Sequence, residues 1–232
     1  ELELALARAH AATDAQATPP WLCDALFRHL LTDLTGSTHR TELSIDKLWD
    51  PQTPYGRQGL VELRAFEMPP HPRLAAAQVI LVRALCAALA RRPYRAPLVR
   101  WGKALHDRFL LPTFLARDLL DVLGYLADAG LDLPADAYLP FVELRCPRVG
   151  AVTAGDVAIE VYNALEPWNV LGEELTAGGT ARFVDSSLER LELRATGLTA
   201  GRHVVVVNGA AIPMHASQQA GVAVAGVRFR AW

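Results

Sequence analysis

Charged residues alternate along two neighbouring stretches of the sequence, 39–46 and 59–66, which we predict as adjacent antiparallel strands. Alternate side chains of a strand share a face, so Arg40 and Glu42 point together, and so do Glu62 and Arg64. A surface that carries carboxylates beside guanidinium groups can bind cations and anionic groups together, as ATP-dependent chemistry requires. The same alternation is typical of a solvated sheet face with cross-strand ion pairs, and spacing alone leaves both interpretations open.

Helical periodicity dominates the sequence before residue 148. Apolar residues recur at helical spacing after Pro19-Pro20, and they predict a helix of about three turns that leads into the first charged stretch. An Ala- and Leu-rich run after Pro72 predicts a long, mostly buried helix. The predicted helices cover about residues 21–34, 74–90, 97–110 and 113–129.

Strand signals account for the rest of the chain. Phe141 to Arg145 repeats the Val-Glu-Leu-Arg core of the second charged stretch, so we predict a third charged strand there. From Val149 onward the periodicity is two, and Asn208-Gly209 predicts a tight hairpin turn. The predicted fold is α+β. Helices pack on a small antiparallel sheet with a charged face in residues 1–148, and an all-β sandwich or barrel domain occupies residues 149–232.

Composition restricts the class of protein. A net charge of −2 with scattered basic residues disfavours nucleic-acid binding. No uninterrupted apolar run reaches the roughly 20 residues that a spanning helix needs, so we expect no membrane partner. Three widely separated cysteines without Cys-x-x-Cys spacing suggest neither a disulfide framework nor a zinc site. A reducing cytoplasm is the natural compartment for such a chain.

Several long sequence segments resemble, in one order, the C-terminal part of the bacterial putative amidoligase family. The first two are His39 to Leu48 and Gly59 to Pro70, which contain the charged stretches. An ordered series of long segments is far more specific than a single short motif. The later segments are Leu98-Val-Arg-Trp-Gly102, Leu105-His-Asp-Arg-Phe109, Leu165-Glu-Pro-Trp168, Leu171-Gly-Glu-Glu174, Gly178-Gly-Thr180 and Val184-Asp-Ser-Ser187.

The resemblance implies a ligase region related to glutamine synthetase and glutamate-cysteine ligase. Such enzymes activate a carboxylate by phosphoryl transfer from ATP, and an amine then attacks the acyl phosphate. Glu62 and Arg64 resemble the Glu-x-Arg strand of those relatives, which implies that Glu62 binds magnesium and that Arg64 binds phosphate or a substrate carboxylate. Glu42 and Arg40 then have the corresponding metal and anion roles on the adjoining strand, and the two arginines are the catalytic candidates.

Family members are usually longer and carry a transglutaminase-like module near the N-terminus, so we expect this chain to be a C-terminal portion that is incomplete as an enzyme on its own. Its expected partners are the upstream part of that protein and the substrates, which are amino-acid, peptide or protein carboxylates and amines. ATP and Mg²⁺ are expected to bind the chain alone weakly or not at all. An exposed sheet edge is expected to favour homo-oligomers. The alternative function is a noncatalytic binding or interdomain scaffold module of a transglutaminase-like protein.

Overall fold

A computed structural model describes residues 1–12, 18–32, 36–38, 41–176 and 179–231. Its helices and antiparallel sheets confirm the predicted α+β class. The helices are α1 (Leu2–Ala11), α2 (Pro20–Phe27), α3 (Pro72–Arg91), α4 (Leu105–Leu110), α5 (Pro112–Asp128) and α6 (Leu139–Arg145), with short 3-10 helices at Gly102–Ala104 and Ala135–Ala137. The strands are β1 (Leu43–Ser44), β2 (Glu62–Leu63), β3 (Arg148–Ala154), β4 (Val157–Ala164), β5 (Asn169–Thr176), β6 (Gly179–Asp185), β7 (Leu188–Thr196), β8 (Val205–Val207), β9 (Ala210–Ile212), β10 (His215–Ala216) and β11 (Val222–Arg230).

The chain divides into two compact units. The first unit contains Glu1–Met68 and Leu171–Phe183, and the second contains Pro69–Val170 and Val184–Trp232. These limits differ from the predicted boundary at residue 148, which stays a prediction.

In the first unit, α2 is shorter than the predicted three turns. It begins with Pro20, whose missing N–H is not needed in the first helical turn, and it ends at Phe27. Asp24 is buried in this helix, and Arg28 donates from Nε and Nη2 to its carboxylate over 2.9 and 2.7 Å. Arg28 also reaches Asp50 at 3.2 Å. This ion network ties the end of α2 to the loop that follows β1.

The two charged stretches form a much shorter sheet than their alternation predicted. β1 and β2 are antiparallel, with Leu43 opposite Leu63 and Ser44 opposite Glu62. The chain turns directly after Ile45, and Leu48 donates its N–H to the carbonyl of Ile45 over 2.9 Å. This turn ends the regular ladder, and beyond it the carbonyl of Lys47 accepts from the backbone N–H of Leu60 in the second stretch over 3.2 Å.

In the second unit, α3 and α5 confirm the helices predicted at 74–90 and 113–129. The prediction that the first of them is mostly buried is wrong, because α3 buries only Ala77, Ala84 and Ala88, on the face that packs against other helices. The side chain of His71 caps α3 by accepting from the backbone N–H of Arg73 over 3.1 Å. The small residues Ala84 and Ala88 of α3 allow close packing against Leu126 of α5, which is fully buried. By length and composition, α3 is long and apolar enough to cross a membrane, and only 11% of its apolar window is buried within the described structure. The helix predicted at 97–110 is limited to α4 and the 3-10 turn before it.

The third charged strand, predicted at Phe141 to Arg145, is wrong, because these residues form most of α6. Pro140 lies in the first turn of this helix, where proline is favourable. Phe141 packs against the cluster around Leu123 and Tyr138. Helical packing thus decides the structure of a Val-Glu-Leu-Arg sequence whose twin at 61–64 includes β2.

After residue 148 the strands form a five-stranded antiparallel sheet with the order β10-β11-β7-β4-β3, together with separate hairpins. The turn predicted at Asn208-Gly209 is confirmed between β8 and β9. Its two residues have φ values of 49° and 83°, as a type I′ turn requires. The described strands do not close into a barrel.

Candidate functional site

The structure brings three of the four predicted site residues together on the β1–β2 ladder. Glu62 lies opposite Ser44, and the backbone N–H of Arg64 donates to the carbonyl of Glu42 over 2.7 Å. This register places Glu42 across from Arg64, two positions along from the pair of Ser44 with Glu62, so the three residues share one face of the ladder. The fourth residue, Arg40, lies outside the described residues.

The guanidinium of Arg64 is the centre of this group. Its Nη2 donates to Glu62 Oε2 over 3.1 Å, and its Nη1 donates to the carbonyl of Thr38. The hydrogen bond to Glu62 raises the pKa of Arg64 above its usual value, and the nearby charge of Asp46 acts in the same direction. The Glu62 side chain is 46% exposed and that of Arg64 is 23% exposed. A permanently charged cation with accessible carboxylate neighbours therefore faces solvent here.

Two carboxylates lie on this ladder, those of Glu42 and Glu62, and the second is paired with Arg64. Mg²⁺ in phosphate-transfer sites is commonly held by one or two carboxylates, with water and substrate phosphates completing its octahedral shell. The part of the chain that the structure describes contains no cluster of three or more His, Cys, Asp or Glu side chains suited to a metal. The donor set thus fits a magnesium ion that arrives with a phosphate, and the assigned roles stay predictions.

A second charged group, which the sequence interpretation missed, lies on one face of the five-stranded sheet. We call it the β4–β7 network and define it as Thr113, Glu160, Tyr162, Glu192 and Arg194. Cross-strand pairing creates it, because Tyr162 lies opposite Glu192 and Glu160 lies opposite Arg194. Directly opposite residues of antiparallel strands point to the same face, so all four strand residues share one face.

Glu192 is the buried anchor of the β4–β7 network. It is completely buried, and it accepts hydrogen bonds from the backbone N–H of Thr113 over 2.9 Å and from its hydroxyl over 2.6 Å. Arg194 donates to the same carboxylate from Nη2 over 2.9 Å. A buried carboxylate is stabilised by such charge-assisted bonds, which also join the start of α5 to β7.

Arg194 extends the network toward β4. Its Nη1 donates to the hydroxyl of Tyr162 over 3.1 Å, and its guanidinium carbon lies 4.2 Å from the centre of the Tyr162 ring. The Tyr162 hydroxyl in turn donates to Glu160 over 3.0 Å, and Arg148 donates to the other oxygen of that carboxylate over 3.1 Å. Each polar member thus has a partner, and the side chain of Arg194 is held in one orientation.

The network borders a cavity of about 280 Å³. Arg194 of β7 forms one side of this cavity, and α5 from Thr113 to Leu120 forms another. The segment between β10 and β11, together with Val222, completes the wall. The lining residues are Thr113, Phe114, Ala116, Arg117, Leu120, Arg194, Ser217, Gln218, Gln219 and Val222.

A model of the putative amidoligase enzyme family (DUF2126) matches residues 1–232. The chain belongs to this family. No curated protein and no solved structure matches it significantly. The family match covers both the β1–β2 residues and the β4–β7 network, so it confirms the resemblance seen in the sequence segments without choosing between the two groups.

The β4–β7 network shifts the pKa of two of its members, Glu160 and Tyr162. The hydrogen bond from Tyr162 lowers the pKa of Glu160, and the bond from Arg148 adds to this effect. Burial is the main cause that raises the pKa of Tyr162, followed by its bond to Glu160. Because the folded-state pKa of Glu160 lies below its unfolded value, its contribution to stability is present above about pH 4.3 and is lost as the pH falls through the folded pKa.

Replacing Tyr162 with phenylalanine should raise the pKa of Glu160 toward the ordinary value, because the hydroxyl that donates to the ionised carboxylate is removed. The measurement is an NMR titration of the Glu160 side-chain carboxyl in both proteins. Tyr138→Phe is a matched control, since Tyr138 lies in the helical core away from the network. An unchanged Glu160 titration in Tyr162→Phe would contradict the hydrogen bond.

The signal for the β4–β7 network was present in the sequence. Leu191-Glu-Leu-Arg194 has the same Glu-x-Arg spacing as Glu62-Leu-Arg64, and Glu160 and Tyr162 alternate in strand phase. The alternation that selected the first two stretches therefore applies equally to β4 and β7. Alternation alone does not predict the register in which β4 pairs with β7.

Proposed function

We propose that this chain forms part of an ATP-dependent ligase that joins a carboxylate to an amine through an acyl phosphate. Membership of the putative amidoligase family supports the ligase class. The observation that carries the finer proposal is the β1–β2 ladder, where Arg64 lies across from Glu42 and within 3.1 Å of Glu62. This ladder provides a cation for anionic oxygens and two carboxylates for a metal within one small surface.

The proposed chemistry consists of two substitutions. A carboxylate oxygen of the acid attacks the terminal phosphorus of ATP and releases ADP, and the amine nitrogen then attacks the acyl carbon and releases phosphate and a proton. A magnesium ion supplies charge neutralisation on the phosphates when it is bound. Arg64 stabilises the negative charge on the transferred group, and Glu42 and Glu62 are the residues that would hold the metal. Arg40 has the same anion-binding role in this proposal.

Further residues are needed for a complete ligase. The described residues of the β1–β2 ladder offer no group for adenine or for the amine, so we propose that another segment of a longer polypeptide supplies them. The chain alone is then expected to bind ATP weakly. Its acid and amine substrates are amino acids, peptides or proteins, and its compartment is the cytoplasm in this proposal.

The test is Glu62→Gln in a protein that carries this chain and shows Mg²⁺-dependent ATP turnover. Glutamine keeps the size of the side chain and removes the anionic metal ligand, so turnover should fall about a hundredfold. Stability should change little, since Glu62 is exposed and its ion pair with Arg64 is a surface pair. Glu67→Gln is the matched control, because Glu67 lies beyond the ladder and carries the same charge. Equal turnover in the two variants would remove Glu62 from the metal site.

One observation favours a second candidate function, a noncatalytic binding or interdomain scaffold. The charged residues of both groups bind one another, as in the pairs of Glu62 with Arg64 and of Glu192 with Arg194. Ion pairs of this kind occur in sheets that have only a structural role. A scaffold would show no ATP turnover with or without the Glu62→Gln substitution, which would then affect only the local ion pair.

A further inference from the structure

The outer face of α3 carries an exposed and largely apolar stripe. Ala76, Val79, Ile80, Arg83 and Cys86 recur at spacings of three and four residues, and all five are exposed. Residues at this spacing lie on one side of a helix. We call this set the α3 stripe. An exposed apolar patch of this kind marks an interaction surface.

A groove of about 520 Å³ runs beside the α3 stripe. Ile80, Arg83 and Ala87 of α3 contribute to one wall, and residues 130–133 form the other. All of these residues belong to the second compact unit. Helices pack by fitting the side chains of one into the grooves of another, so the stripe and its groove suit a second helix.

The charges near this surface are segregated by sign. Residues 91–103, which we call the basic segment, contain five Lys or Arg and no Asp or Glu. Residues 118–143, the acidic segment, contain six Asp or Glu and no Lys or Arg. The overall net charge of −2 conceals these two segments, because their charges of +5 and −6 nearly cancel.

The two segments lie toward opposite ends of α3. The basic segment begins where the helix ends, at Arg91. The chain after α5 returns along the helix, since Leu131 packs in the cluster of Ala88 and Tyr138 packs against Ala77. Residues 132–136 of the acidic segment therefore lie beside the middle and the N-terminal half of α3.

Most of these charges have no ion pair within the described chain. In the acidic segment, Asp121 is paired with Arg117 over 3.1 Å. Arg92 and Arg95 have no such pair among the described residues, and neither do Asp132 and Asp136. A partner with charges of one sign would be attracted to one segment and repelled by the other. A second copy of this chain carries both signs.

We propose that the α3 stripe is the contact surface of a homodimer, in which α3 of one copy packs antiparallel to α3 of the other about a twofold axis. This arrangement brings the basic segment of each copy to Asp132 and Asp136 of its partner, because the two segments lie toward opposite ends of the helix. A twofold interface makes that contact twice. Arg83, the one charged residue of the stripe, lines the groove together with Asp132, whose carboxylate compensates it.

The proposed dimer needs neither ATP nor the residues of the β1–β2 ladder, so the inference goes beyond the proposed function and survives its failure. It also differs from association through a sheet edge, which would use the backbone of β3 at the edge of the five-stranded sheet.

Sedimentation equilibrium of the chain over a range of concentrations tests the proposal. We expect a monomer–dimer equilibrium. Its dissociation constant should rise by about tenfold or more between about 0.05 M and about 0.5 M salt, because salt screens exposed charges. A chain that stays monomeric at every concentration, or a dimer whose affinity does not depend on salt, would overturn the proposal.

A pair of matched variants locates the contact. Val79→Glu places a charge in the α3 stripe, where the side chain is 58% exposed, and should raise the dissociation constant by about tenfold or more. Val152→Glu is the control, since Val152 is 62% exposed but lies on β3. Unchanged dimerisation in Val79→Glu would overturn the proposal. Loss of the dimer in Val152→Glu alone would assign the association to the sheet edge and would overturn it too.

An exchange of charges tests the antiparallel orientation. Arg92→Glu with Arg95→Glu, and Asp132→Lys with Asp136→Lys, should each weaken dimerisation by about tenfold or more, because each places like charges in contact. An equimolar mixture of the two double variants should associate again, since each altered segment then meets one of opposite charge. Circular dichroism checks that each double variant keeps its helices. A mixture that associates no more strongly than either double variant alone would overturn the proposal.

Discussion

Replacing Glu192 with leucine is expected to lower the free energy of unfolding by about 3 kcal/mol. The side chain is completely buried and accepts bonds from Thr113 and Arg194. Leucine fills much of the volume but leaves the Thr113 N–H and hydroxyl without their acceptor and Arg194 without its charge partner. Partial exposure of Arg194 allows water to replace part of the loss, which places the effect at the lower end of the usual range. Urea unfolding followed by circular dichroism measures the change.

The neighbouring residue Glu189 supplies a matched control for this substitution. Both residues lie on β7. Because they are three positions apart, Glu189 points to the opposite face of the sheet from Glu192. Glu189→Leu should change the free energy of unfolding by no more than about 0.5 kcal/mol. The double variant Glu192→Leu with Thr113→Val should lose less free energy of unfolding than the sum of the two single variants. The reason is that both substitutions remove the same contact. Equal destabilisation by Glu192→Leu and Glu189→Leu would contradict the buried network.

The elements that could be predicted from the sequence are those with strong local signals. α3 follows a cap and a proline and has a long apolar run, and the hairpin at Asn208-Gly209 needs two residues that tolerate positive φ. The segment Phe141 to Arg145 has a proline before it, but no cap and no long apolar run. Its alternation is compatible with a strand, and the packing of Phe141 against Leu123 and Tyr138 favours the helix. Short segments of this kind are determined by contacts with distant residues.

The candidate sites show the same contrast between local sequence signals and long-range contacts. Strand phase was sufficient to place Glu62 and Arg64 on one face, because the two residues are only two positions apart. Their proposed roles came from the family resemblance and stay predictions. The β4–β7 network joins residues that are far apart, since Thr113 and Glu192 are separated by 79 positions. Their contact depends on the pairing of β4 with β7 and on where α5 begins. Alternation can indicate which face a charge occupies, but not which charge lies opposite.

Replacing Glu166 with leucine is expected to lower the free energy of unfolding by about 4 kcal/mol. The Glu166 side chain is 3% exposed, and Arg190, which donates to it over 2.8 Å, is only 10% exposed. Arg190 is more deeply buried than Arg194, so water replaces less of the lost interaction and the effect exceeds that of Glu192→Leu. Urea unfolding under the same conditions provides the comparison.

Two further variants separate the buried pair from general effects of mutation in this region. Arg228 lies 3.8 Å from Glu166 but is 55% exposed, so Arg228→Gln should change stability by no more than about 1 kcal/mol. The double substitution Glu166→Leu with Arg190→Met should recover most of the loss, because a buried ion pair can be replaced by apolar residues at little cost. If the double variant loses as much free energy of unfolding as the two single variants together, the broken ion pair is not the cause of the destabilisation. Glu166 lies in the Leu165–Trp168 segment that resembles the amidoligase family, so recovery in the double variant would show that this segment contributes to stability through the pair of Glu166 with Arg190.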